Sequence, residues 1–99
     1  MAMFAAIRRG KLKPGMAAEF AKRVQAGALP VIRKMDGFKA YYLIAGGDDT
    51  VIAVSMFTNR TVAEGSTQQL MPWIKENLGP LFASPTEPIE GEVLISEVA

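Results

Sequence analysis

Two apolar runs stand next to each other in the middle of the chain, and neither alternates. Phe38-Lys39-Ala40-Tyr41-Tyr42-Leu43-Ile44-Ala45 leads through Gly46-Gly47-Asp48-Asp49-Thr50 into Val51-Ile52-Ala53-Val54-Ser55-Met56-Phe57. A strand with one face in water alternates apolar and polar residues with period two. These two runs therefore read as strands covered on both faces, and the Gly-Gly-Asp-Asp between them favours a hairpin. On either side the period changes. Met16, Phe20, Val24, Ala28, Val31 and Met35 recur every three or four residues and form one helical stripe, with Glu19, Lys22, Arg23 and Arg33 largely off it. Pro30 removes a helical hydrogen bond to Ala26 and crowds its carbonyl, so a kink or break is expected there. Asp36-Gly37 closes that helix, Gly37 being suited to a left-handed cap. A second stripe runs through Val62, Ser66, Leu70, Trp73 or Ile74, Leu78 and Leu81. Thr61-Val62-Ala63-Glu64 has the spacing of a capping box at its start, and Pro72 is expected to divide it. Phe4–Leu12 and Ile89–Val98 read as the first and last strands. Lys13-Pro14-Gly15 and Ser84–Pro88 are the turn and the loop beside them.

The order strand, helix, strand, strand, helix, strand is the split βαβ arrangement. It predicts an α+β, ferredoxin-like βαββαβ fold: a four-stranded antiparallel sheet with both helices on one face, in a single domain spanning residues 1–99. A chain of 99 residues has little left to cover the sheet's other face. A second copy of the chain is the expected cover, and hence a homodimer.

Composition narrows the chemistry. The chain has neither histidine nor cysteine. That removes the usual general base, the usual haem and zinc ligands, disulfides and thiolate nucleophiles. Scattered carboxylates without histidine companions suggest no metal site, and Gly46-Gly47 is a turn with no helix following it to bind phosphate. No apolar run approaches the ~20 residues of a membrane span. In Met1–Ile7 the apolar stretch precedes Arg8-Arg9, the reverse of a targeting signal, so a cytoplasmic protein without membrane association is expected. Charge is unevenly placed: residues 1–39 hold nine Lys or Arg against two acids, and residues 40–99 hold two against eight. A basic patch for nucleic acid is one reading. The other is internal pairing, with Arg8, Arg9 and Lys11 beside Glu90, Glu92 and Glu97 if the first and last strands are neighbours. Base-reading and aromatic-interleaved basic motifs are absent, so no nucleic-acid partner is expected.

Several local patterns in this order resemble a known family. They are Lys13-Pro14-Gly15 before the first helix, Leu29-Pro30 near its end, and Asp36-Gly37-Phe38 entering the Tyr-Tyr strand. Phe57 closes the third strand, and Trp73-Ile74-Lys75-Glu76-Asn77-Leu78 lies in the second helix. Across nearly its whole length the chain resembles the dimeric α+β-barrel proteins of the antibiotic biosynthesis monooxygenase (ABM) type. The resemblance implies a homodimer with sheets face to face and a small cavity in each subunit between sheet and helices. Some members oxidise polyphenols or quinols with O2 and no metal or flavin, others degrade haem, and others have no known activity. The cofactor-free enzymes place an Asn and a Trp on the third strand and a Tyr early in the second helix. Those places fall here on Ala53, Phe57 and Ala63, and the histidine of the haem-degrading members has no counterpart.

The candidate pocket residues are Tyr41, Ser55, Phe57 and Trp73. Tyr41 and Tyr42 point to opposite faces of one strand, so one of them can present a hydroxyl to a ligand while the other packs in an interface. Ser55 is the only polar residue within Val51–Phe57, and a buried hydroxyl needs a partner. Without histidine it is no activated nucleophile. Phe57 offers an aromatic wall without an N–H. Trp73 can stack on a planar ligand or fill core. Lys39, Arg60, Gln68 and Gln69 fit solvent-exposed roles as well as functional ones. The reading is a cofactor-independent monooxygenase-like protein that needs no cofactor or metal and binds a small aromatic or quinone-like molecule. The alternative is a non-catalytic binding or interaction protein on the same scaffold.

Overall fold

The computed structural model describes residues 2–99. Strand β1 (Met3–Lys11) is followed by a first helical stretch, α1 (Ala17–Arg23), a π-helical turn (Val24–Ala28) and α2 (Leu29–Arg33). The hairpin β2 (Phe38–Ala45) and β3 (Thr50–Phe57) comes next, then α3 (Arg60–Asn77), a 3-10 turn (Gly79–Leu81) and β4 (Glu87–Val93). The four strands form one antiparallel sheet in the order β2-β3-β1-β4, the ferredoxin-like arrangement.

The register sorts the strands into two faces. Phe4, Ala6, Arg8 and Gly10 of β1 lie opposite Phe57, Ser55, Ala53 and Val51 of β3, which in turn lie beside Phe38, Tyr41, Leu43 and Ala45 of β2. This is the inner face. With Phe20, Val24, Ala28 and Ile32 from the first helical stretch, Ala63 and Leu70 from α3 and Leu78 at its C-cap it encloses the core. The outer face carries Ala5, Ile7, Tyr42, Ile44, Ile52, Val54, Met56 and Ile89. Tyr42, Ile44 and Ile89 on it are at least half exposed. The lack of alternation in β2 and β3 thus corresponds to one face under helices and one apolar face open.

One local expectation takes a specific form and three are corrected. The break at Pro30 takes the form of the π-helical turn just before it. Buried positions 20, 24, 28 and 32 advance by four at each step, which drifts about 40° per step around an α-helix. The wider turn absorbs that drift and buries Ile32, while Val31 faces out. The cap of α3 is Asn59, whose Oδ1 accepts from the Val62 N–H at 3.1 Å. Thr61 lies inside the helix, so the Thr-x-x-Glu spacing is not a capping box here. Pro72 does not divide α3, which continues to Asn77. A proline can sit within a helix that tertiary packing holds, at the loss of the N–H that would have bonded the Gln68 carbonyl. Finally, β4 ends at Val93, and Leu94, Ile95 and Val98 lie outside the sheet, each 87% exposed. The last pair of the β1–β4 ladder is Met3 with Val93.

Candidate functional site

The inner face is lined with small side chains where the two helical layers meet it. Ala6 and Ala53 leave space on the sheet, and Ala28 and Ser66 leave space on the helices. The result is a cavity of about 70 Å3 between sheet and helices. Its apolar wall includes Val24, Ile32, Leu70, Ile74, Leu78 and Phe82; its polar groups are Arg8, Tyr41, Ser55, Ser66 and Thr67.

Each polar group is placed by an identifiable local cause. Tyr41 and Ser55 are direct partners across the β2–β3 ladder, and Ser55 is also opposite Ala6. A β-bulge at Lys39, between Phe38 and Ala40, sets this phase: it lets both Phe38 and Tyr41 point inward. Burial pushes the Tyr41 hydroxyl up to about 12, because a phenolate would be poorly solvated there. Tyr41 is therefore a neutral O–H donor at physiological pH. Ser55 is buried, and among the described residues neither its hydroxyl nor that of Tyr41 has a hydrogen-bond partner in the protein, yet neither oxygen is sealed from the cavity. Ser66 is different: its Oγ donates to the Ala63 carbonyl at 2.9 Å within α3. Phe82 closes one end. A bridge between Leu12 and Phe82, flanked by Lys13 N–H to Leu81 C=O and Ala83 N–H to Lys11 C=O, fixes its backbone on β1. Its ring lies where a Cβ on Gly10 would meet it at 2.7 Å and stands edge-on to Phe20 at 5.3 Å. Gly10 is thus needed for close approach.

Tyr41 and Ser55 face the cavity together; Phe57 and Trp73 do not line it. Phe57 is fully buried and stands edge-on to Phe38, with ring centroids 6.0 Å apart. Trp73 packs its ring over Gly27 of the π-helical turn. Of the positions aligned with catalytic side chains in the resemblance, Ala53 lines the cavity and Ala63 is core. Among the described residues no group of three or more Asp, Glu, His or Cys could hold a metal ion.

Arg8 was not among the candidates that the sequence singled out, beyond its charge. It lies on the inner face, opposite Ala53 and beside Pro88. Its guanidinium donates to the Thr86 hydroxyl. The alternation of β1 carries the signal: Phe4, Ala6, Arg8, Gly10 and Leu12 share one face, and Arg8 is the one charge in that row. β1 and β4 are neighbours, as internal charge pairing required, but Arg8 is opposite Pro88 and Arg9 opposite Glu87. The carboxylate of Glu90 acts on Arg8 and offsets part of the effect of burial on its charge.

The model of the antibiotic biosynthesis monooxygenase family matches residues 3–69, more than half of the chain. The chain belongs to the ABM family. Solved structures agree on the fold. A Nitrosomonas europaea protein of unknown function is 24% identical, with a TM-score of 0.79 over 100% of this chain and 96% of that one. The Streptomyces coelicolor monooxygenase from the gene ActVA-Orf6, in complex with nanaomycin D, is 15% identical, with a TM-score of 0.76 over 97% and 91%. A Mycobacterium tuberculosis protein is 15% identical, with a TM-score of 0.73 over 98% and 99%. No curated protein matches the sequence. The matched segment runs from β1 to the middle of α3; the cavity draws most of its lining from it, and Leu70, Ile74, Leu78 and Phe82 from beyond it. No helix among the described residues is long and apolar enough to cross a membrane.

Proposed function

We propose that this ABM-family protein binds a compact aromatic or quinone-like molecule in the cavity between sheet and helices and oxidises it with O2, without a cofactor. The observation that carries the reading is the pair of unpartnered hydroxyls, Tyr41 and Ser55, side by side in a largely apolar cavity. Two donors that the protein leaves unsatisfied suit a ligand oxygen. In such a reaction the cavity holds the substrate as its oxyanion, stabilised by O–H donors in a water-poor site. The anion gives an electron to O2, and the two radicals combine as a peroxide at a ring C–H carbon conjugated with the oxyanion, which is a CH2 in the keto tautomer. Loss of water then leaves a carbonyl, so that CH2 and O2 become C=O and H2O. A cavity of ~150 Å3 is known to take up benzene, and this one is about half that size. The ligand is therefore small, and side chains at the cavity end move to admit it.

The protein acts as a homodimer in this reading. The open apolar face of the sheet and the exposed Leu94, Ile95 and Val98 support a second copy as their cover, since apolar surface of this extent marks association. The cytoplasm is its proposed location. Oxygen uptake with a panel of single-ring quinols tests the catalytic reading: turnover that falls in Tyr41→Phe and Ser55→Ala supports it, and no turnover above buffer refutes it. One observation favours a second reading, binding without catalysis. Ala53, Phe57 and Ala63 are apolar where the resemblance expects Asn, Trp and Tyr. A ligand that co-purifies and is released unchanged, without oxygen uptake, is the outcome expected of it.

A further inference from the structure

Arg8 occupies a junction. It and Thr67 line the inner cavity, and the same two residues line an open groove of about 580 Å3 between α3 and β4, with Glu64, Gln68, Met71, Pro88 and Glu90. From the cavity outward, the order is the Tyr41–Ser55 row, then Arg8, then the groove. Arg8 is one ladder step beyond that row: Ser55 is opposite Ala6, and Arg8 is two residues on along β1. Diagonal neighbours on a sheet face are roughly 7–8 Å apart at Cα, well within the reach of an arginine side chain.

We propose that Arg8 sets the ligand class of this cavity: single-ring aromatic molecules carrying one anionic oxygen, entering from the α3–β4 groove and held between Arg8 and the Tyr41 and Ser55 hydroxyls. The inference rests on the binding role proposed above for the cavity. Three features support it. A guanidinium has five N–H donors, and among the described residues its only side-chain acceptor is Thr86 Oγ1. None of the described carboxylates pairs with it at ion-pair distance. Ala53 opposite it leaves room on the sheet for a ring beneath the charge. The groove's own acids do not fill the role. Glu64 pairs with Arg60 at 3.8 Å, and Glu90 acts on Arg8 only from beyond pairing distance. Partial burial disfavours the Arg8 charge, so an incoming anion restores a counter-charge that the protein supplies only in part.

The test is a comparison of isosteres on the intact protein, by calorimetry and by amide and side-chain NMR shifts. Benzoate, benzamide and phenol are the probes, the last two being neutral at pH 7. Benzoate is expected to bind roughly ten- to a hundredfold tighter than benzamide, the range for a charge-assisted hydrogen bond, and to move the signals of Tyr41 and Ser55. Arg8→Met keeps the apolar stem and should remove the preference for benzoate over benzamide, lowering benzoate affinity far more than benzamide affinity; Arg8→Lys should keep part of the preference. Equal binding of benzoate and benzamide by the wild-type protein overturns the role of Arg8 but leaves the cavity as a binding site. No binding of any probe overturns both. Shifts confined to the outer sheet face, or a benzoate preference that survives in a folded Arg8→Met, also overturn it.

Discussion

Alanine at Gly27 sets two well-measured effects against each other. Gly27 lies in the π-helical turn Val24–Ala28, and replacing a helical glycine by alanine ordinarily stabilises by roughly 0.5–1 kcal/mol through lost backbone entropy. Here the new Cβ would sit 2.1 Å from Trp73 Cζ2, 2.6 Å from Cε2 and 2.9 Å from Nε1. Ordinary contact begins near 3.4 Å, so the indole must retreat by more than an ångström. It is poorly placed to do so. Trp73 is anchored within α3, its carbonyl accepts from Asn77 Nδ2 at 3.0 Å, and Arg23 ties α1 to the Asn77 carbonyl at 2.7 Å. Overpacking of this kind costs about 1–3 kcal/mol. Sterics therefore win, and Gly27→Ala is expected to destabilise by about 1–2 kcal/mol, or about 5–15 °C in Tm for a domain of this size. Gly65 in α3 is the control: nothing lies within 4 Å of its Cβ position, so Gly65→Ala should stabilise by roughly 0.5–1 kcal/mol. Urea unfolding followed by circular dichroism, at matched protein concentration because association shifts apparent stability, measures both. A smaller ring tests the cause: in the Trp73→Phe background the Gly27→Ala penalty should shrink, giving a favourable coupling in the double-mutant cycle. A Gly27→Ala protein as stable as wild type would refute the packing account, and with it the assignment of the Trp73 ring to the helix interface and not to the cavity.

The N-terminus of α3 offers a sharp contrast: Asn59→Ala should cost about 1 kcal/mol of stability and Thr61→Ala far less, and denaturation showing the reverse order would restore the Thr-x-x-Glu cap. The Tyr41 hydroxyl, raised by burial to about 12 from 10, links folding to alkaline pH. Its folded value exceeds its unfolded one, so its contribution is whole below pH 10 and is lost as pH rises to 12. The loss is on the order of 2 kcal/mol. Tyr41→Phe should flatten that limb of the stability curve, and an unchanged limb assigns it to other groups. On the outer face, light scattering should give twice the chain mass for wild type. Ile52→Asp, in the middle of the open sheet face, should give a monomer; a dimer that survives this charge would place the interface elsewhere.

The fold was legible because it depends on period and order, which are local and redundant. The element sequence, the hairpin and the covered-or-apolar character of β2 and β3 all follow from runs of several residues that agree with one another. Single-residue signals misled where packing decides. Pro72 reads as a break, yet α3 passes through it. Leu94, Ile95 and Val98 read as strand, yet the ladder with β1 ends at Met3 and Val93. Thr61 and Asn59 are both plausible caps by residue type, and only the start of the helix at Arg60 chooses between them. The site was half legible for a related reason. Tyr41 and Ser55 were found as polar atoms in apolar strands, but which face each occupies depends on ladder register and on the bulge at Lys39, and a one-residue slip exchanges the faces. Phe57 and Trp73 were judged by aromatic character, which serves core and ligand equally.

The same register explains why charge, the weakest clue in the sequence, marks the most specific feature of the cavity. Nine of the eleven cations fall in residues 1–39, and as a composition this suggests only a basic surface. On the strand they separate. Arg9 and Lys11 lie on the opposite face from Arg8, and Lys11 reaches Asp48 at the hairpin tip, 3.8 Å away. Arg8 alone of these three turns inward, toward the position of Ala53. Where the family resemblance expects a polar residue on the third strand, this chain has alanine, and the cation on the neighbouring strand faces the space so left. On the role proposed for Arg8, the polar function of the cavity moves across one ladder rung, from β3 to β1. A polar side chain restored at the third strand should then weaken the dependence on Arg8. Ala53→Asn in the Arg8→Met background is expected to recover part of the lost benzoate affinity. A double variant that binds no better than Arg8→Met alone would mean the two positions do not substitute for each other.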